Sequence, residues 1–453
     1  MSAPASFVSR SSANLEARRS DEELPLRKSS GGLSGTLATS MNLITIMIGA
    51  GVLALPKVFA TIGVPIGCAV TAAGCCISIY LCDILSDSIG VVQATTGVRV
   101  RTLEDVGAAC YGEHGRRITR FVINNTFLGK ASVYFVLIGQ NLAFLHSPPM
   151  YRGWVVCGGI VFMSLAFVRS VATLERIAFS GVICSFFYLL MVVIGSFQAN
   201  AEKLGAGSDL MKLSEADPSL ILPALSVMLF SFGPTDVLAT VRSNMADQAG
   251  MRPAICASHI AVGLFCVTVG ALGFWGFGAG VMDDVTQSMC GLVVGGKCVE
   301  GTKWISGYLL AFAVVLNLGV SLPIDLYCLF SNIEASYPKA EPMPAALNFA
   351  MRIGVVLFCG TVGLLLPYFM EVLEIFCALL IVPGVIWLPV AFSHRTTVIS
   401  GKPYPLARRW FDVALVLLGA ACLLLGLYKS VRELREALGK GDGRANPFAE
   451  RWF

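Results

Sequence analysis

Apolar runs of about 20 residues, the helix length that crosses a bilayer, recur along most of this 453-residue chain. Of its residues 55% are apolar and 14% charged, where soluble chains are charged at about a quarter of positions. In hydrocarbon only helices and closed barrels satisfy their own backbone. Runs this long, without period-2 alternation, predict an all-α polytopic membrane protein.

The first run, 36–61, reads TLATSMNLITIMIGAGVLALPKVFAT, and its middle is Gly49-Ala50-Gly51. Each glycine weakens a helix by about 1 kcal/mol relative to alanine. Inside lipid a freed N–H or C=O has no water to bond, so a break is tolerable only where something else satisfies it. A half-helix from about Thr36 to Gly49 would end in carbonyls that favour a cation. A second half beginning near Val52 would present N–H groups that favour a carboxylate. The run 220–240 carries a comparable interruption, Gly233-Pro234, flanked by Ser231, Phe232, Thr235 and Asp236. Proline costs about 3 kcal/mol in a helix interior. Each feature alone also has a structural reading, small residues as a helix–helix contact and proline as an ordinary kink. Together they predict a small-molecule site between two broken helices, as in secondary transporters.

The hydropathy divides into eleven spans, near 36–61, 64–90, 118–145, 153–168, 177–200, 220–240, 255–277, 305–330, 347–369, 372–392 and 411–428. The broken ones are the first and sixth, which suits two inverted five-helix repeats plus one helix. Residues 1–35 read as a disordered tail, 36–430 as the transmembrane domain and 431–453 as a short C-terminal tail. The polar stretch 99–117 predicts a surface segment with turns at Gly112 and Gly115. With the N-terminus in the cytosol, the loops on that side hold about 20 basic residues against about 5 opposite. The C-terminal tail, with several Lys and Arg, dissents from this placement.

No Gly-rich phosphate loop with a following Lys, metal-ligand spacing or nucleophile–base set is present, so neither an enzyme nor a cofactor is expected, and no nucleic-acid partner. Most of the 15 cysteines lie within apolar runs, as small packing residues. Cys290 and Cys298 fall in a loop on the non-cytosolic side, where a disulfide is permitted. Two charges lie within spans. Asp236 stands beside the second interruption and is a proton acceptor or a paired residue; Lys130 lies well inside the third run. Each would be costly alone, so Lys130 is expected to neutralise Asp236.

Several stretches resemble the amino acid/auxin permease family. NLITIMIGAGVLALPKVF is similar to its first helix, RTLEDVGAACYGEHGRR to its second loop and VYFVLIGQNLAFL to its third helix. RSVATLERIAFSG, SFGPTDVLATVRSNM and GFWGFGAGVMDDVTQSM are similar to its four–five linker, sixth helix and seventh helix with loop. The resemblance implies a leucine-transporter-like fold, H+- or Na+-coupled amino-acid uptake across a lipid bilayer, and no covalent cofactor. It implies that Gly49, Ala50 and Gly51, with Thr45 nearby, hold the substrate together with Ser231, Phe232, Gly233 and Pro234, Phe232 acting as an aromatic gate. It also implies that Ser321 joins the carbonyls of Ile46 and Gly49 around a sodium ion. Sodium-coupled members tend to carry Asn where this chain has Thr45, which favours H+. The implied cycle rocks spans 1, 2, 6 and 7 against 3, 4, 8 and 9, in a plasma or vacuolar/lysosomal membrane. The rival readings are an amino-acid receptor that signals through its tail and a passive channel.

Overall fold

The computed structural model describes residues 35–97, 100–146, 151–165, 167, 171–202, 220–245, 247–291, 293–294, 297–298, 302–337, 343–365, 369–401 and 403–439. The tail expected at 1–35 therefore lies outside them except for Gly35. The first run forms three short helices, α1 (Thr36–Met47), α2 (Ala50–Leu53) and α3 (Leu55–Ile62). Then come α4 (Val64–Thr96), α5 (Leu103–Leu145), α6 (Tyr151–Leu165) and α7 (Val171–Ala201). The sixth run gives α8 (Ile221–Ser231), a 3-10 turn at Pro234–Asp236 and α9 (Leu238–Ser243). The chain continues through α10 (Met251–Phe277), α11 (Ile305–Ser336) and α12 (Ala345–Leu365). The tenth run is α13 (Phe369–Phe376), two wide π-helical turns at Cys377–Ile381 and Pro383–Trp387, and α14 (Leu388–Ile399). Helix α15 (Leu406–Gly439) ends the described chain. Eight helical segments among the described residues are long and apolar enough to cross a membrane.

Two sets of helices pack mainly within themselves, with α7 lying against both. In one, α10 lies against α1, α3 and α4, and α4 also lies against α8. In the other, α5 packs on α6, α11 and α12. Helix α7 packs on α11 of the second set and on α10 and α1 of the first. Phe59 of α3 is fully buried and fits between α4 and α10 because Gly67 and Gly270 face its ring. A Cβ at Gly67 would lie 2.9 Å from that ring and one at Gly270 2.5 Å. Large buried rings and small residues thus interlock where lipid supplies no hydrophobic force between helices.

Two details differ from the sequence expectation. The polar stretch turns at Gly112, which has φ 68° and ψ −153°, whereas Gly115 is helical. One left-handed residue suffices to fold Leu103–Tyr111 back, and Gly115 then packs on Gly107. The start of α5 is fixed by a capping box between Thr102 and Asp105. Helix α15 continues through 431 to Gly439, so the first part of the expected C-terminal tail is an extension of the last apolar run.

The loop between α10 and α11 closes over the ends of α3 and α5. Lys57 donates to the Val281 carbonyl at 3.1 Å, and Lys303 to that of Phe144 at 2.6 Å. Within it β1 (Val293–Val294) pairs antiparallel with β2 (Lys297–Cys298), placing Val293 opposite Cys298. Cys290 is buried; the side chain of Cys298, and with it the expected disulfide, lies outside the described residues. Asp284 anchors the loop. Its carboxylate, fully buried, accepts from Thr286 N at 2.9 Å and Asn141 Nδ2 at 2.8 Å. Burial pushes its pKa up from 3.8 to about 6, the hydrogen bonds opposing this only in part. The folded state therefore holds more protons than the unfolded one between these values, and stability falls as pH rises across the window. Melting in detergent is expected to show a decline from about pH 4 to 6 that Asp284→Asn flattens; an unchanged slope in that variant contradicts the assignment.

Candidate functional site

Helix α1 stops at Met47. Ile48 has ψ 86°, and Gly49 is extended at φ −130°, ψ −150°, before α2 begins at Ala50. No backbone acceptor is recorded for the N–H groups of Ala50 and Gly51, as expected of a first helical turn. Helix α8 stops at Ser231. Gly233 has φ −100°, ψ 70°, and Pro234 opens the 3-10 turn that leads to α9. Proline brings no N–H to this junction and blocks a regular continuation.

These two interruptions touch. A Cβ on Gly51 would lie 2.5 Å from Ser231 Oγ and 2.8 Å from Phe230 Cδ1. A Cβ on Gly49 would lie 3.1 Å from the hydroxyl of Tyr134 on α5. Backbone from both breaks and a buried phenol therefore converge, and only glycine at 51 permits the approach.

One carbonyl at each break has a side-chain partner. The Ile48 carbonyl accepts from Asn317 Nδ2 of α11 at 3.1 Å. The Phe232 carbonyl accepts from Ser78 Oγ of α4 and faces His259 Nε2 of α10 at 3.2 Å. One turn from Tyr134 on α5, Lys130 Nζ lies 2.5 Å from Asp236 Oδ2, with both side chains buried. Asp325 of α11, also buried, lies close enough to interact electrostatically with both. Asp236 further lines a narrow crevice with Gly233, Thr235, Ile123 and Thr126 of α5, and Leu380 and Gly384 of the π-helical turns.

The residues picked from sequence are thus distributed unevenly. Gly49, Gly51 and Ser231 meet at the breaks, with Ala50 buried between the glycines. Gly233 and Pro234 form the second interruption, and Gly233 lines the crevice. Lys130 and Asp236 pair directly. Thr45 does not face the breaks: its hydroxyl donates to Met41 O at 3.0 Å and its methyl fills the place beside Gly181 of α7. Phe232 also turns away. Its fully buried ring lies beside Gly74 and Gly263 and stacks 6.3 Å from His259, so Phe230, in contact with Gly51 and edge-on to Phe376, is the ring at the junction. Phe232 still bonds back to the Met228 carbonyl, and two residues are about 200° around a helix, so Phe230 and Phe232 face opposite sides. Ser321 is buried one turn beyond Asn317, and it is Asn317 that reaches the α1 carbonyls, at Ile48 rather than at Ile46 or Gly49.

A family model described as "Transmembrane amino acid transporter protein" matches residues 33–432. The chain belongs to that family. It is 25% identical over 294 residues to "Amino acid transporter ANT1" of Arabidopsis thaliana, covering 61% of this chain and 66% of that protein. With "Amino acid permease 2" of the same plant it shares 24% over 443 residues, 88% of this chain and 87% of the relative. The chain spans just under two thirds of the first of these relatives. Among solved structures it is similar to that of MhsT in complex with L-phenylalanine, with a TM-score of 0.57, 12% identity, and coverage of 88% and 99%. At that identity the likeness shows the fold, a leucine-transporter-like all-α membrane architecture.

Asn317, Asp325, Ser78 and His259 joined the site only through the coordinates. The available signal was a polar side chain within an apolar run, which family membership does not assign to a partner.

Two predictions follow from this geometry. Gly51→Ala is expected to destabilise the protein in detergent melting, since overpacking costs about 1–3 kcal/mol. Gly49→Ala should be milder and recover when Tyr134→Phe removes the opposing hydroxyl; equal effects at 49 and 51 by uptake or thermal shift would refute the assigned contacts. Lys130→Met is expected to destabilise the protein by about 3–5 kcal/mol because it strands a buried carboxylate. Adding Asp236→Leu should restore much of the loss in detergent melting, and failure to do so would count against the pair.

Proposed function

We propose that this protein is a secondary active transporter of amino acids, with H+ the more favoured coupling ion over Na+. The observation that carries this reading is the contact of Gly51 with Ser231, which joins two helix interruptions without an intervening side chain. N–H groups of Ala50 and Gly51 provide a seat for a carboxylate, and carbonyls left by the two breaks provide one for an ammonium. The names of the family and of its relatives support amino acids as the substrate class.

In the proposed cycle α1–α4 and α8–α10 move against α5, α6, α11 and α12. The packing of each set mainly within itself, with α7 between them, supports this division. The Lys130–Asp236 pair crosses between them, from α5 to the turn after α8, and must be remade or compensated when they move. Counting the broken helices and the 15-residue α6 with the eight long segments gives eleven spans in a 5+5+1 arrangement. The N-terminus would face the cytosol, in a plasma or vacuolar/lysosomal membrane. H+ is preferred because Thr45 stands where sodium-coupled members of the family tend to carry Asn, and because ionisable groups lie beside the breaks.

Purified protein in liposomes, offered twenty amino acids with pH and sodium gradients varied separately, tests the reading. Accumulation above the external concentration under a pH gradient, without a sodium requirement, is expected. Equilibration without accumulation would mark a channel, and binding without flux a receptor; either outcome overturns the proposal.

A further inference from the structure

We propose that His259 is a proton-binding group that reports its charge directly to the backbone of the α8 break, and that the driving proton is carried there. The inference deepens the transport reading and rests on it.

His259 is completely buried on α10. Both of its ring nitrogens face oxygens. Nδ1 lies 2.8 Å from the Ile255 carbonyl, one turn back on the same helix. Nε2 lies 3.2 Å from the Phe232 carbonyl and 3.1 Å from Ser78 Oγ. Ser78 Oγ is itself placed to donate to the same Phe232 carbonyl. That carbonyl is the last before Gly233-Pro234, where the regular helical donors are lost.

A neutral imidazole carries one N–H and one lone pair. With the proton on Nε2, the Phe232 carbonyl is bonded, but the Nδ1 lone pair is pressed against the Ile255 oxygen. With the proton on Nδ1, Ile255 is served, and the Ser78 hydroxyl must rotate toward Nε2 to meet its lone pair. The Phe232 carbonyl then loses both donors. An unpaired buried carbonyl costs about 1–3 kcal/mol, so either neutral form leaves a defect. Only the imidazolium satisfies every oxygen at once, with Nδ1–H on Ile255, Nε2–H on Phe232 and Ser78 free to add a second bond there.

The step is a simple protonation: a proton from solvent joins the Nε2 or Nδ1 lone pair and leaves from the same atom. What changes is the backbone. The charged form clamps the Phe232 carbonyl to α4 and α10, and the neutral Nδ1–H form releases it at the break that the substrate ammonium approaches. Histidine is the side chain whose ordinary titration spans about pH 5–8, the range of cellular proton gradients.

The surroundings leave this group sensitive to protons. From α4, Cys82 Sγ lies 3.9 Å from Nε2 and Cys75 Sγ donates to the His259 carbonyl at 3.4 Å. From the break, Asp236 lies four residues beyond Phe232 and acts electrostatically on Cys82, as does Asp83, which pairs with Arg252 of α10. The segment of α1 packed on α10 contributes no ionisable side chain, and Lys57 of α3 is engaged at the far loop.

The test uses full-length protein in liposomes and, as probe, whichever of the twenty amino acids the wild type exchanges fastest. His259→Gln is expected to lose about tenfold or more of pH-gradient-driven accumulation relative to the same variant's own exchange of labelled for unlabelled substrate, the signature of lost coupling. Substrate-triggered proton movement, read by a trapped pH dye, should disappear with it. A variant that still accumulates substrate under a pH gradient as the wild type does overturns the proposal. Should the variant misfold, a second measurement keeps the native residue. Of the four histidines, His114, His146 and His394 are replaced by Gln, and the remaining ring is labelled with 15N. Both nitrogens are expected to carry protons near pH 5 and one near pH 8; a single tautomer throughout refutes the assignment. Wild-type protein that neither exchanges nor accumulates any amino acid would sink the transport reading instead, and the nitrogen titration would still be read separately.

Discussion

A helix that breaks inside lipid must find a partner for every backbone group it frees, and in this protein that requirement organises the centre of the molecule. The Ile48 carbonyl draws in Asn317 from α11. The Phe232 carbonyl draws in Ser78 and His259 from α4 and α10. Polar residues that would be costly in an apolar run are there because the interruptions need them. The α8 break is tied to α4 and α10 through its last carbonyl and to α5 through Asp236, and the α1 break is tied to α11.

The same economy of space shapes the junction. Gly51 brings backbone against Ser231 and Phe230, and Gly49 admits the Tyr134 hydroxyl. Under the proposed function, such a site would recognise what all amino acids share, the ammonium and carboxylate, through peptide groups. Selection among side chains would then fall to the ring of Phe230, its edge partner Phe376 and the crevice beside the π-helical turns.

Much of this was legible in the residues. Length and apolarity required membrane helices, and Gly49-Ala50-Gly51 and Gly233-Pro234 marked where two of them break. Two buried charges of opposite sign suggested each other before Lys130 and Asp236 were seen at 2.5 Å. Side-chain direction was not legible. Phe230 and Phe232 lie about 200° apart around the end of α8, and sequence alone does not say which of the two faces the junction. Thr45 lies a turn earlier on an intact helix, yet nothing local says that Gly181 on α7 will accept its methyl. Nor does sequence say which polar residue of a distant run will reach a given carbonyl, which is why Asn317 and His259 were overlooked while Ser321 was chosen by resemblance.

One ammonium, on Lys130, answers two carboxyl groups, Asp236 and Asp325, deep in the membrane. When all three are ionised the interior carries one excess negative charge. A zwitterionic substrate leaves that excess unchanged, whereas a single added proton cancels it. In the proposed cycle the loaded protein therefore reorients as an electrically neutral body, and the membrane voltage acts on the empty return stroke.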